Sequence, residues 1–224
     1  MSVGVITAIF GGYDTLMELP ANHGFDQSLC YTDNPKVVSK TWKVIQEPRL
    51  CLTPMLAAKQ MKMLPHLYLG TEKSLWIDGA YQIRSPIIKT LVLKYLSKGD
   101  WVCRKHPHRD CLYDEGIFST NLPRYAKHPI HAQLEHYRSQ GVPCHFGLWS
   151  CGFIGRNHTK ENAEFGTRWL LENMAWSSEV NDQICFPYLV WKFQKTITTL
   201  PLDSWITDKL IIHNSHKERN GSLV

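Results

Sequence analysis

The chain has 224 residues, 43% of them hydrophobic and 20% charged, enough for one sizeable core and ordinary for a globular protein. Its 25 basic and 20 acidic residues give a formal charge of +5, which suits phosphate ligands and permits contact with a nucleic acid or an anionic membrane surface; no run of like charge forms a basic arm. No apolar run is long enough to cross a bilayer, and the seven scattered cysteines, without any Cys-x-x-Cys pair, argue against a zinc knuckle and a disulfide framework, so reduced thiols in a cytoplasmic protein are expected.

In chain order, Met1–Thr7 carries no basic segment ahead of its apolar residues and reads as the start of a strand, not a leader. Strands are expected at Val3–Phe10, Leu29–Thr32, Trp42–Ile45, Leu75–Ile77, Trp101–Arg104, Gly152–Arg156 and Leu210–His213. Apolar residues at Ile87, Ile88, Leu91, Val92, Tyr95 and Leu96 repeat at helical spacing behind Ser85-Pro86. Further helices are expected over Pro54–Leu64, Pro129–Gln140, Lys160–Met174 and Asp182–Phe193. Strands alternating with helices imply an α/β class with a mixed, mainly parallel sheet. With no repeat or Gly/Ser linker, residues 1–224 read as one domain.

The chemistry-bearing residues sit where these strands end. The first strand runs into Gly11-Gly12-Tyr13-Asp14, which is neither a dinucleotide fingerprint nor a P-loop. The second ends in Tyr31-Thr32-Asp33-Asn34-Pro35, suited to a base and ribose or to a simple Asx turn. Lys59 and Lys62 share one face of a helix, facing phosphate or solvent. Ser74-Leu75-Trp76-Ile77-Asp78-Gly79 is an apolar run ending in one carboxylate. Such an acid lies at the ligand-binding edge of an open α/β sheet and can hold a hard cation against a diphosphate; Asp-Gly is also common turn chemistry.

The cluster His106–Glu115 follows the next strand, with Arg109 and Glu115 as groups for sugar or phosphate or as a salt-bridged helix start. Arg156 and His158 end a later strand. Asp182 suits an N-cap, a contact with the acceptor, or a base. His213 and His216 would complete a metal site with Asp78, and the same stretch also reads as a polar tail.

Taken in this order, Thr7-Ala8-Ile9-Phe10-Gly11-Gly12-Tyr13-Asp14, Tyr31-Thr32-Asp33, Ala58-Lys59 with Lys62, Trp76-Ile77-Asp78-Gly79, His106–Glu115, Arg156 with His158, and Asp182-Gln183-Ile184-Cys185-Phe186 form a series. From about Val3 to about Tyr188 it resembles the glycosyltransferase-like family of the plant pollen and seed-mucilage type, first classed as a domain of unknown function. The resemblance implies a GT-A-like fold, a nucleotide-sugar donor and a divalent metal, Mn²⁺ or Mg²⁺. Only Asp78 stands where GT-A enzymes carry Asp-x-Asp.

It also implies donor contacts at Thr7, Ala8, Tyr13, Asp33, Lys59, Lys62, Asp78, Gly79, Arg109 and Lys217. Acceptor contacts are implied at Arg156 and His158, and metal ligands at Asp78, His213 and His216. Glycosyl transfer has three tasks: neutralising the leaving diphosphate, orienting sugar hydroxyls and, with inversion, removing the acceptor proton. Asp78, Lys59 and Lys217 suit the first, Arg109, Glu115 and Gln183 the second, and Asp182 the third. The expected reaction moves a sugar from a UDP-linked donor to a glycan precursor, or to a hydroxylated DNA base as in phage DNA modification. The rival readings are a non-catalytic nucleotide-sugar-binding module and a metal-dependent hydrolase built on His106–Asp110.

Overall fold

β1 (Val3–Ile9) is buried along its whole length, as a continuous apolar run requires of a strand covered on both faces. The computed structural model describes residues 1–49, 52–177, 181–200 and 209–213. Around β1 the chain builds β2 (Gln27–Thr32), β3 (Lys43–Gln46), β4 (Lys73–Ile77), β5 (Tyr81–Ile83), β6 (Trp101–Lys105), β7 (Trp149–Asn157), β8 (Ile197–Leu200) and β9 (Ile211–His213). The helices are α1 (Pro54–Met63), α2 (Ile87–Leu96), α3 (Leu112–Thr120), α4 (Ile130–Ser139), α5 (Lys160–Trp176) and α6 (Asp182–Lys192).

Seven strands form one sheet in the order β3-β2-β1-β4-β7-β6-β8. All run parallel except β7, which lies antiparallel between β4 and β6. This is the mixed, mainly parallel α/β sheet that the alternating pattern predicts. β5 and β9 pair apart from it as a two-stranded ribbon, so the strand expected at Leu210–His213 joins the ribbon and not the main sheet.

Alternation along the strands sends side chains to two cores. Ile6, Ala8, Tyr31, Trp76, Trp101 and Ile154 face residues of α1, α3, α4, α5 and α6. Val5, Leu75, Ile77, Val102 and Phe153 face Ile88, Val92 and Leu96 of α2. Local signals start the helices. Thr53 Oγ1 accepts from the Leu56 amide at 3.2 Å, with Pro54 as first residue of α1, and Thr159 Oγ1 accepts from the Asn162 amide at 3.2 Å to open α5. The six cysteines among the described residues are free thiols. None of the described helices is long and apolar enough to cross a membrane.

β1, β2, β4 and β6 all deliver their carboxyl ends to one edge. Because β7 runs the other way, Ile77 pairs with Phe153 while Ser74 pairs with Arg156. The tip that carries Arg156 and His158 therefore lies at the opposite edge from Asp78.

Candidate active site

The centre of the carboxyl edge is a buried cation between two carboxylates. Lys62 Nζ lies 2.7 Å from Asp182 Oδ2 and 3.4 Å from Asp78 Oδ1, with the Lys62 and Asp182 side chains 7% and 11% exposed and Asp78 34% exposed. Burial opposes the charge on Lys62, yet the carboxylates of Asp182 and Asp78 raise its pKa above the ordinary lysine value. Burial likewise opposes ionisation of Asp182, and Lys62 and Lys59 outweigh it, so Asp182 titrates below an ordinary aspartate. It is a weak proton acceptor and a strong hydrogen-bond acceptor.

Asp78 is aimed by its own strand. Trp76, two residues earlier and on the same face, donates its indole Nε1–H to Asp78 Oδ1 at 2.6 Å. Space beside Asp78 is kept by glycine. A Cβ on Gly152 would stand 2.9 Å from Asp78 Oδ2 and 2.5 Å from Tyr81 Cε2. On the other side, a Cβ on Gly79 would stand 2.9 Å from Asp14 Oδ2, so the Asp14 carboxylate packs directly against the residue after Asp78. Oxygen ligands in a glycine-cleared cradle suit a hard divalent cation that takes one or two carboxylates and completes its shell with water and phosphate oxygens. Among the described residues Asp78 belongs to no cluster of three metal-ligating side chains. His213 stands across the ribbon from Tyr81, their rings 4.8 Å apart.

One side of the edge is formed by the ends of β1 and β2. Gly11 and Gly12 take φ of +63° and +67°, a turn that side chains resist. The Gly11 amide donates to Asp33 Oδ1 at 2.9 Å, and Arg49 Nε donates to Asp33 Oδ2 at 2.6 Å. Tyr13 accepts from an Arg124 guanidinium nitrogen at 3.0 Å. Thr7 and Ala8 lie inside β1, 1% and 8% exposed, and not at the edge.

On the far side Glu115, 3% exposed, holds a network together. Its Oε2 accepts from Arg109 Nε at 2.6 Å, and its Oε1 from Asn181 Nδ2 at 2.8 Å and Gln183 Nε2 at 3.4 Å. The Asn181 side chain also caps α6 by accepting from the Gln183 amide at 3.0 Å. Asp182 is thus the first residue of α6, not its cap. His106 Nδ1 accepts from the amides of His108 and Arg109. Burial and the Arg109 and His108 charges lower its pKa to about 4, so its ring is neutral at pH 7.

The structure thus brings Lys62, Asp78, Gly79 and Asp182 together, with Gln183 beside Asp182. Arg109 and Glu115 pair with each other in a supporting position. Lys59 is buried and donates to Asn173 Oδ1 at 2.9 Å, which makes it a second-rank cation behind Asp182. Arg156 and His158 are not brought to the site: Arg156 is 2% exposed and donates to the carbonyls of Met63 and Lys62 at 3.0 and 2.6 Å. Its guanidinium lies 4.4 Å from the Trp101 ring centroid. The His158 Nδ1 is bound to the Thr71 carbonyl oxygen at 2.7 Å. Both expected acceptor residues are structural here, because β7 is antiparallel. His216 and Lys217 lie outside the described residues. Sequence reasoning gave no role to Trp76, Asn181, Asp14 or Gly152, although Asp14 and Trp76 stand inside the motifs at the ends of β1 and β4.

Residues 25–215 match the model of the TOD1/MUCI70 family, described as a glycosyltransferase-like domain. The chain belongs to this family. The apo structure of the bifunctional glycosyltransferase WbbM is similar to this TOD1/MUCI70 domain with a TM-score of 0.50 and 14% identity, covering 90% of this chain and 39% of that one. The likeness is one of fold, and the domain spans about two fifths of that protein. No curated protein matches in sequence.

Proposed function

We propose that this glycosyltransferase-like domain transfers a sugar from a UDP-linked donor to an acceptor hydroxyl of a glycan precursor. The observation that carries the reading is the buried Asp182–Lys62–Asp78 chain at the carboxyl edge of the sheet. It joins a strand-end acid, suited to the donor diphosphate, to the first acid of α6, suited to the sugar.

In the reaction the bond from the anomeric carbon to the diphosphate oxygen breaks, the acceptor oxygen bonds to the anomeric carbon in its place, and the acceptor proton passes to the departing nucleoside diphosphate or to solvent. The Gly11–Gly12 turn with Asp33 suits the nucleoside, its open backbone allowing close approach. Asp78, with Asp14 against Gly79, has the oxygen donors to hold Mn²⁺ or Mg²⁺. Such an ion supplies positive charge against the departing diphosphate. Lys62 holds the buried Asp182 carboxylate ionised and pairs with Asp78. Asp182 accepts a hydrogen bond from a sugar hydroxyl, a role that suits its depressed pKa better than proton removal. Gln183 adds a donor and an acceptor beside it. Arg109, Glu115 and Asn181 fix the start of α6 and act as positioning residues.

The test is nucleotide release across a panel of nucleotide sugars, with Mn²⁺, Mg²⁺ or EDTA, beside Asp78→Ala with its circular dichroism checked. Slow hydrolysis of one donor, lost in the folded variant, is expected. A donor that binds without turnover, with or without metal and acceptor glycan, would favour a binding module. No binding of any donor would overturn the proposal.

A further inference from the structure

Away from the Asp78 edge, three side chains of metal-ligating type converge at the start of α3. Cys111 Sγ, a carboxylate oxygen of Asp114 and a ring nitrogen of His145 all lie within 4.8 Å of one another. We propose that these residues bind a zinc ion that clips the loop at residues 143–148 to the start of α3.

Four observations carry this. First, the donor set is chemically selective: a thiolate and an imidazole with one carboxylate suit a borderline-soft ion, not Mg²⁺ or Ca²⁺. Second, Cys111 occupies the N-cap of α3 yet its side chain caps nothing. It is 2% exposed, and no hydrogen bond to its sulfur is present among the described residues. Third, the His145 Nδ1 lies 2.7 Å from Asp110 Oδ1. A carboxylate on one ring nitrogen fixes the orientation of the ring, as carboxylates do for zinc-binding histidines. Fourth, the loop is bent to bring His145 here. His145 itself has φ of +55°, uncommon for a residue with a side chain, and the Gly147 amide donates to the Asp110 carbonyl at 3.1 Å.

Zinc-ligand bonds of roughly 2.0–2.3 Å require these atoms to close in by about an ångström, within reach of side-chain rotation at two exposed residues. Binding releases the Cys111 thiol proton to solvent, and water fills the fourth position. The site is legible only in three dimensions: Cys111 and Asp114 are one helical turn apart, and His145 comes from beyond α4.

The test uses the full chain, stripped with chelator and titrated with Co²⁺ and then Zn²⁺. One equivalent of Co²⁺ should give a thiolate-to-cobalt charge-transfer band with tetrahedral d–d bands, displaced by one equivalent of Zn²⁺. Cys111→Ser and His145→Ala should abolish the band, and Cys144→Ser, which removes the neighbouring exposed thiol, should keep it. Asp110→Asn should weaken affinity by about 10- to 100-fold. If circular dichroism shows Cys111→Ser to be misfolded, His145→Ala, whose side chain is 64% exposed, gives the same reading without touching the core. Absence of the band in the natural chain, its survival in His145→Ala or Cys111→Ser, or its loss in Cys144→Ser would overturn the proposal.

Discussion

Replacing Lys62 by Met keeps the length of the side chain and removes the charge between Asp78 and Asp182. At the 2.7 Å separation from Asp182, the gross attraction at an effective dielectric of 20 is about 6 kcal/mol. Most of this is offset by taking two ions out of water, so the pair as a whole adds little. Removing one partner is different, because a buried carboxylate is left uncompensated, and the expected loss is about 3–5 kcal/mol.

The pH dependence gives a sharper reading than the magnitude. In the natural protein Asp182 titrates below its ordinary value of 3.8. The stability it contributes is fully present above that pH and is lost as pH falls through the folded pKa. In Lys62→Met burial acts without its principal compensating charge, the Asp182 pKa rises above 3.8, and stability falls as pH rises from that value. Urea unfolding at a series of pH values from 3 to 7 measures both slopes. The double variant Lys62→Met/Asp182→Asn should recover stability to within about 2 kcal/mol of the natural protein, with a flat profile. A loss below about 1 kcal/mol in the single variant, or an unchanged pH slope, would refute the reasoning.

Trp76→Phe preserves ring packing and removes the indole donor to Asp78. A hydrogen bond to a charged group contributes about 1.5–3 kcal/mol, so nucleotide-sugar affinity by calorimetry should fall by about tenfold or more while the fold is kept. Gly152→Ala puts a methyl 2.5 Å from Tyr81 Cε2 and 2.9 Å from Asp78 Oδ2. It should lower the melting temperature, by about 1–3 kcal/mol equivalent, and reduce donor binding together. Arg156→Met uncovers the Lys62 and Met63 carbonyls and should destabilise the fold by about 1–3 kcal/mol. Donor and acceptor constants of the folded enzyme should stay unchanged; a selective rise in the acceptor KM would restore the acceptor role to Arg156.

Strands and helices with strong apolar periodicity were legible in the sequence because burial dictates composition. β1, β2, β4 and β6 are inner strands of the sheet, α2 and α5 have buried stripes that match their spacing, and α6 is a continuous apolar run buried nearly all round. β5 and β8 were missed because three or four mixed residues carry too little pattern. α3 was foreseen only as the alternative reading of the His106–Glu115 cluster, a salt-bridged helix start, because Asp114 and Glu115 in its first turn and Gly116 in its middle weaken the helical pattern. Its burial against α6 and α4 overrides that local preference.

For the site, the end of β4 singled out Asp78, a helix face singled out Lys62, a helix start singled out Asp182, and the family resemblance added Gln183. The sequence by itself determined that an acid would stand at the carboxyl edge of β4 and that Asp182 would open a helix, because hydrophobic runs fix where strands and helices stop. Only the tertiary structure decided which charges meet. The antiparallel turn of β7 sends Arg156 to the far edge. The close approach allowed by Gly79 and Gly152 brings Asp14 beside the residue after Asp78 and leaves space around Asp78 itself. The packing of α1 against α6 joins Lys62 to Asp182 across more than a hundred residues. Such contacts depend on distances between elements, and no local pattern along the chain encodes a distance.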